Sequence, residues 1–200
     1  MTRTATISRT TRETSVTVTV DLDGDGTTDV ATGVGFFDHL LTSFGHHSLI
    51  DLTVRTEGDL HIDDHHTVED TMLVLGEALA AALDQRAGIA RFGDAAVPMD
   101  EALARAAVDV GGRPYAVINV PLRTERIGTF TCQNFAHGLE AFCQTAGFTL
   151  HLTAGGENDH HIAEAAIKAV ARAVRAAVTA DPRRPGMAST KGIPQSERTT

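Results

Sequence analysis

Two kinds of hydrophobic pattern alternate along the chain. Val16-Thr-Val-Thr-Val20 and Ile50-Asp-Leu-Thr-Val-Arg-Thr56 place apolar residues at every second position, as strands buried on one face do. Tyr115–Leu122 and Phe148–Thr153 are rich in β-branched and aromatic residues and read as two further strands. Gly35–Phe44 and Phe135–Thr145 instead carry apolar residues three and four apart, which predicts helices. His65–Leu83 and His160–Val178 predict two longer helices, the first ended by the Gly88 region. Met99–Val110 alternates and then turns helical, so neither period describes it. Gly111-Gly-Arg-Pro114 is a turn, and the last twenty residues, rich in Pro, Arg, Ser and Thr, read as a loose tail.

Asp21-Leu-Asp-Gly-Asp-Gly26 matches the first, third, fifth and sixth positions of an EF-hand calcium loop. The twelfth position, which needs Glu, is Thr32, and the preceding segment is a strand rather than a helix. A hairpin turn is the expectation there.

The pattern occurs twice. Phe37-x-His39-x-Leu41-x-x-Phe44 is repeated as Phe135-x-His137-x-Leu139-x-x-Phe142, each match 98 positions on. The strand Asp51–Val54 is followed in register by Thr149–Leu152, and His65-His66-x-x-Glu69 returns as His160-His161-x-x-Glu164. A helix, a strand and a His-His-Glu helix in the same order twice imply a duplicated unit, with residues 1–95 and 96–182 as halves and 183–200 as a tail. Strands followed by helices suggest two α+β layers, helices on one side of each sheet, related by a pseudo-twofold axis.

Composition changes this picture little. The 200 residues suffice for one integrated domain, and 42% hydrophobic and 22% charged residues are ordinary. The net charge of −9 argues against nucleic acid or an anionic membrane as partner, and no run is apolar enough to span a bilayer. The N-terminus lacks the apolar stretch of a signal peptide, so a cytoplasmic protein is expected. Cys132 and Cys143 fit no metal or redox spacing and read as buried free thiols. Only Lys168 and Lys191 among 17 basic residues are lysines, which leaves arginine to supply most anion recognition.

Histidine is the unusual component. Eight of the ten fall in three clusters, at 39–47, 61–66 and 160–161. On a helix, adjacent histidines stand 100° apart and the glutamate four places after the first lies between them. One helix cannot easily aim both imidazoles and the carboxylate at a single ion; two ions, one on either side, suit the arc better. With His39 and His137 the candidate ligands are His39, His65, His66, Glu69, His137, His160, His161 and Glu164, or two sites of three His and one Glu. Two coordination positions would stay open on an octahedral ion for a chelating substrate. Zinc, iron, nickel and manganese all accept such ligands. His46 and His47 have no counterpart in the second half and are expected at the surface or at a helix cap; His151 is expected to pack.

Arg91-Phe-Gly93 and Arg113-Pro114 set arginines beside turns, Lys168 follows Glu164 by one turn, and Ser189-Thr-Lys191 could close on a phosphate. A dinuclear phosphoesterase would need a carboxylate bridging its ions, which two Glu serve poorly. A metal-storage protein would not need Arg91, Arg113 or Lys191. Both remain open on residue types alone.

Taken together, Phe37-Asp-His39, Gly58-Asp, Ile62–Asp70, Arg91-Phe-Gly, Met99-Asp-Glu, Gly112-Arg-Pro, His160-His-x-x-Glu-Ala-x-x-Lys168 and Ser189-Thr-Lys191 resemble the imidazoleglycerol-phosphate dehydratases of histidine biosynthesis. The resemblance covers nearly the whole chain; residues 123–134 match it only loosely, and the segment between His151 and His160 is one residue short. It implies a duplicated ferredoxin-like fold of the ribosomal protein S5 domain 2-like type, and a homo-oligomer of 24 subunits with active sites at subunit interfaces. It also implies two Mn(2+) per site on the eight ligands above. The implied reaction is a hydro-lyase conversion of imidazole glycerol phosphate to imidazole acetol phosphate and water, through a metal-stabilised imidazolate and diazafulvene. Glu13 would be the general acid/base, with Glu69 and Glu164 engaged as ligands at the reacting centre. Glu13, Arg91, Arg113, Lys168, Ser189, Thr190 and Lys191 would contact the substrate and its phosphate.

Overall fold

Val16, Val18 and Val20 point into the core from one strand while Ser15, Thr17 and Thr19 face outward, and this period of two recurs in both sheets. The computed structural model describes residues 2–190. The first half runs β1 (Thr4–Thr10), β2 (Thr14–Asp21), β3 (Thr28–Ala31), α1 (Gly35–Ser48), β4 (Asp51–Gly58) and α2 (His65–Leu83). The second runs β5 (Phe92–Met99), β6 (Ala102–Asp109), β7 (Tyr115–Asn119), a short ribbon of β8 (Arg126–Ile127) and β9 (Phe130–Thr131), α3 (Gln133–Ala146), β10 (Thr149–Gly155) and α4 (Asp159–Val178).

The four-stranded sheets have one topology, β1-β2-β4-β3 and β5-β6-β10-β7. In each, the third strand lies parallel to its neighbour and the other pairings are antiparallel. Each sheet turns its apolar face to its own helices, and the helices meet across the halves, α2 along α3 and α1 along α4. Phe44 and Phe142, equivalent positions of the repeat, meet edge-on with centroids 6.1 Å apart. Close approach of α2 and α3 depends on Gly76: a Cβ there would lie 2.6 Å from the Phe142 carbonyl oxygen. The layers are therefore sheet, helices, helices, sheet.

Several expectations need correction. Residues 21–26 do not form a hairpin, because β4 lies between β2 and β3. Instead Asp51 Oδ1 accepts the backbone N–H groups of Asp25, Gly26 and Thr27, and Asp23 pairs with Arg3. Met99–Val110 spans the end of β5 and all of β6, an antiparallel hairpin; burial along β6 does alternate, but Leu103 and Ala107 on its exposed face are apolar as well, which hides the period in the sequence. β7 stops at Asn119, short of Leu122, with Pro121 beyond it. His151 is exposed on the outer face of β10 and does not pack. The tail is tied down as far as it is described: Gly88 N–H donates to Gly186 and Asp181 N–H to Gly88. Cys132 and Cys143 are buried free thiols, and burial pushes Cys143 up to about 12. No helix among the described residues is long and apolar enough to cross a membrane.

Candidate metal centres

Because α2 packs on α3 and α1 on α4, each cluster of candidate ligands draws on both halves. His65 and Glu69 of α2 face His137 of α3, and His39 of α1 faces His160 and Glu164 of α4; within each trio the donor atoms all lie within 4.8 Å of one another. Glu164 Oε2 is 3.1 Å from Nε2 of both His39 and His160. Glu69 stands 3.6 Å from His65 Nε2 and 3.2 Å from His137 Nε2. The His65 and His137 rings stack at 4.7 Å, and the Nε2 atoms of both lie against the Glu69 carboxylate.

Two observations test whether a cation fits. His137 Nε2 is buried with no hydrogen-bond partner among the described residues, because Glu69 approaches it outside hydrogen-bonding geometry. Such an orphan is costly unless something else binds it. The donor chemistry, two imidazoles and one carboxylate per trio, suits a borderline divalent ion. The residues fit. Burial pushes the Glu164 carboxyl up, but hydrogen bonds from Lys168, at 2.6 Å, and from His39 outweigh it and hold it at about 2, ionised and ready to ligate.

The second histidine of each pair turns elsewhere. His66 Nδ1 is 3.1 Å from Asp59 Oδ2, and His161 Nδ1 is 2.9 Å from Glu101 Oε2. These hydrogen bonds raise the pKa of both imidazoles. They also orient the rings with Nε2 outward. His65 Nδ1 likewise meets Asn134 Oδ1 at 3.3 Å. One chain therefore assembles three of the four ligands expected at each site, with His66 and His161 outside both trios. Glu13, on the turn between β1 and β2, lies 3.8 Å from His66 Nε2.

The anion-binding candidates divide. Arg91, held at φ 74°, places its fork on both oxygens of Asp109, 2.7 and 2.9 Å away, and donates to the Ala188 carbonyl at 2.5 Å. Arg113 is 81% exposed and 4.0 Å from the same Asp109, and Ser189 and Thr190 follow directly after Ala188. Lys168 is not with them. Arg91 N–H binds the Ala177 carbonyl near the end of α4, thirteen residues from Glu164, or about 20 Å along the helix. Lys191 lies outside the described residues.

The imidazoleglycerol-phosphate dehydratase family model matches residues 32–174. The chain belongs to this family. It is 55% identical to the imidazoleglycerol-phosphate dehydratase of Acidiphilium cryptum, over 96% of this chain and all of that one. It is equally similar to that of Dinoroseobacter shibae, over 95% and 98%. Among solved structures, the dehydratase from Staphylococcus aureus superposes with a TM-score of 0.80 at 35% identity, covering 88% of this chain and 99% of that one. The one from Pyrococcus furiosus gives 0.79 at 33%, covering 94% and 99%. A model of the FG-GAP repeat also matches residues 14–46, a stretch that here forms β2, β3 and most of α1.

Membership makes the chain a hydro-lyase, with a dehydratase role in histidine biosynthesis. Within this dehydratase, sequence reasoning missed the residues that orient the candidate ligands: Asp59, Glu101 and Asn134. Gly58-Asp59 and Asp100-Glu101 stood in the motifs that mark the family, but nothing in their spacing shows that they reach His66 and His161. Asp109, which fixes Arg91, carried no sequence signal.

Proposed function

We propose that this dehydratase converts imidazole glycerol phosphate to imidazole acetol phosphate and water with two Mn(2+) per active site. The observation that carries this reading is the pair of His-His-Glu trios, one of them with a buried imidazole nitrogen that lacks a partner among the described residues. His39, His160 and Glu164 would hold one ion, and His65, Glu69 and His137 the other. When bound, the ions supply Lewis-acid stabilisation to the two ring nitrogens of the substrate.

The chain's own residues do the rest. Lys168 keeps Glu164 ionised. Arg113, Ser189 and Lys191 bind the phosphate, with Arg91 anchoring Ala188 beside them, which fixes the reacting carbons relative to the ring. Glu13 moves the proton: the hydroxyl leaves the carbon that bears the ring, the proton leaves the next carbon, and the enol becomes the ketone.

These parts act together only across copies of the chain. A five-membered ring with a three-carbon phosphate is about 8 Å long, too short to join Glu164 to the Arg91 cluster of the same chain. His66 and His161, with Nε2 outward, would complete trios of neighbouring copies, in an assembly proposed to hold 24 subunits. The test is to strip the protein with a chelator and incubate it with imidazole glycerol phosphate, with and without manganese. Ketone should form only with metal, and its absence under every divalent ion would overturn the reading.

A further inference from the structure

Glu13 and Glu101 occupy the same place in the two halves but are held in different ways. Val54 and Leu152, 98 positions apart in the repeat, lie opposite Val18 and Ala106, so β2 and β6 correspond at an offset of 88. Glu13 is therefore the counterpart of Glu101, and Thr14 of Ala102. Glu101 is held by its own carboxylate, which accepts the N–H groups of Glu157 and Asn158 at 3.1 and 2.8 Å and stands 2.9 Å from His161 Nδ1. The Glu13 carboxylate makes no hydrogen bond among the described residues, and its ion-pair neighbour there is His66 Nε2 at 3.8 Å.

What holds Glu13 is its backbone. Thr11 Oγ1 accepts the N–H groups of Glu13 and Thr14 at 3.1 and 3.0 Å, and Thr11 N–H donates to the Thr14 carbonyl at 2.8 Å. This turn is pinned to α2 by Asp70, whose Oδ1 pairs with Arg9 while its Oδ2 accepts the Thr14 hydroxyl. Asp70 is buried and directly follows Glu69. The second half has no such set. Val16 lies opposite Arg9 and Ala104 opposite Val97, so Arg9, Thr14 and Asp70 correspond to Val97, Ala102 and Ala165. Ala102 and Ala165 are buried, and Val97 packs against the core. Apolar contact thus suffices to dock the same hairpin on the same helix, without the desolvation cost of a buried carboxylate. The polar set stands where the glutamate lacks bonds of its own.

We infer, resting on the reading of Glu13 as general acid/base, that Asp70 is a positioning residue: by gripping Arg9 and Thr14 it fixes the β1–β2 turn on α2 and so sets the Glu13 carboxylate beside His66. A network that only stabilised the fold would be replaceable by the apolar residues of the second half with no loss of turnover. A network that served the metal through the adjacent Glu69 would weaken manganese when broken. A network that places Glu13 lowers kcat, leaves manganese bound, and matters only while residue 13 is a glutamate.

The experiment is a double-mutant cycle on the assembled, manganese-loaded protein, with imidazole glycerol phosphate as substrate. Asp70→Ala should lower kcat about tenfold or more, the scale of a misplaced catalytic group, while manganese affinity by chelator competition stays within about twofold of the wild type. In the Glu13→Gln background the same substitution should change kcat by less than about twofold, because the group it places has lost its function. An unchanged kcat, an equal loss in both backgrounds, or manganese weakened along with turnover would each overturn the proposal. The triple variant Arg9→Val, Thr14→Ala, Asp70→Ala, which copies the packing of the second half, should fold and show the same loss of kcat. If Asp70→Ala does not fold, the triple variant decides; if neither folds, the network belongs to the fold itself and the proposal fails. Full turnover in Glu13→Gln alone would remove the acid/base reading and this inference with it, a result obtained before Asp70 is touched.

Discussion

Glu101 Oε2 lies 2.9 Å from His161 Nδ1, and the same relationship recurs between Asp59 and His66 at 3.1 Å. The two carboxylates come from unrelated positions, Asp59 following β4 and Glu101 on the β5–β6 turn, yet each leaves its imidazole with Nε2 outward. A histidine in that state is ready to serve as a ligand. Glu101→Ala should weaken manganese about 10–100-fold and lower turnover, with little change in thermal stability. Chelator competition and steady-state rates check it, and Glu101→Gln, which keeps an acceptor for Nδ1–H, should lose much less.

Glu13 is 55% exposed, near His66 and free of the metal trios. Glu13→Gln should retain manganese and substrate binding while turnover falls about 10²–10⁴-fold. Full activity in that variant would remove Glu13 from the mechanism.

Manganese should raise the melting temperature of the stripped protein. Binding only to the folded state at a hundred times Kd adds about 2.7 kcal/mol per site. The shift should shrink when His137 is replaced by Ala, because the orphaned Nε2 is then gone. Scanning calorimetry with and without metal decides it.

Asp109 gives a pH signature away from the metals. Burial pushes its carboxyl up, but the Arg91 fork outweighs burial and holds it below the ordinary range. A carboxyl depressed in the folded state adds stability above its unfolded value, near 3.9, which is lost as pH falls through the folded value. Asp109→Asn should therefore be less stable than the wild type at pH 6, with the difference narrowing below about pH 4. A constant difference across pH 3–6 would contradict this.

Gly76→Ala should destabilise although alanine is the better helix former by about 1 kcal/mol. The added Cβ would press on the Phe142 carbonyl at 2.6 Å and on Thr145, and overpacking of this kind costs about 1–3 kcal/mol. Denaturant unfolding gives the sign.

The amino-acid sequence determined a good deal without coordinates. The repeat, the four long helices and the strands β2, β4 and β10 were legible because half-buried elements print their period on the chain. The candidate ligands on α2 and α4 were legible because adjacent histidines with a glutamate four places after the first must share one face of a helix. Strands β1 and β5 were not legible. They are edge strands with polar or broken patterns, and what makes them strands is hairpin pairing to β2 and β6 rather than an apolar face of their own.

Only the tertiary structure decided how the ligands sort. Helix packing across the halves joins His39 to Glu164 and His137 to Glu69, a pairing that no spacing along one helix contains. It also turned His66 and His161 out of both trios, set the Arg91 cluster about 20 Å along α4 from Glu164, and tied Asp70 to Arg9 and Thr14. Residue spacing reports what a single element presents. Which elements face each other depends on burying several apolar faces at once, and that is settled by the fold as a whole.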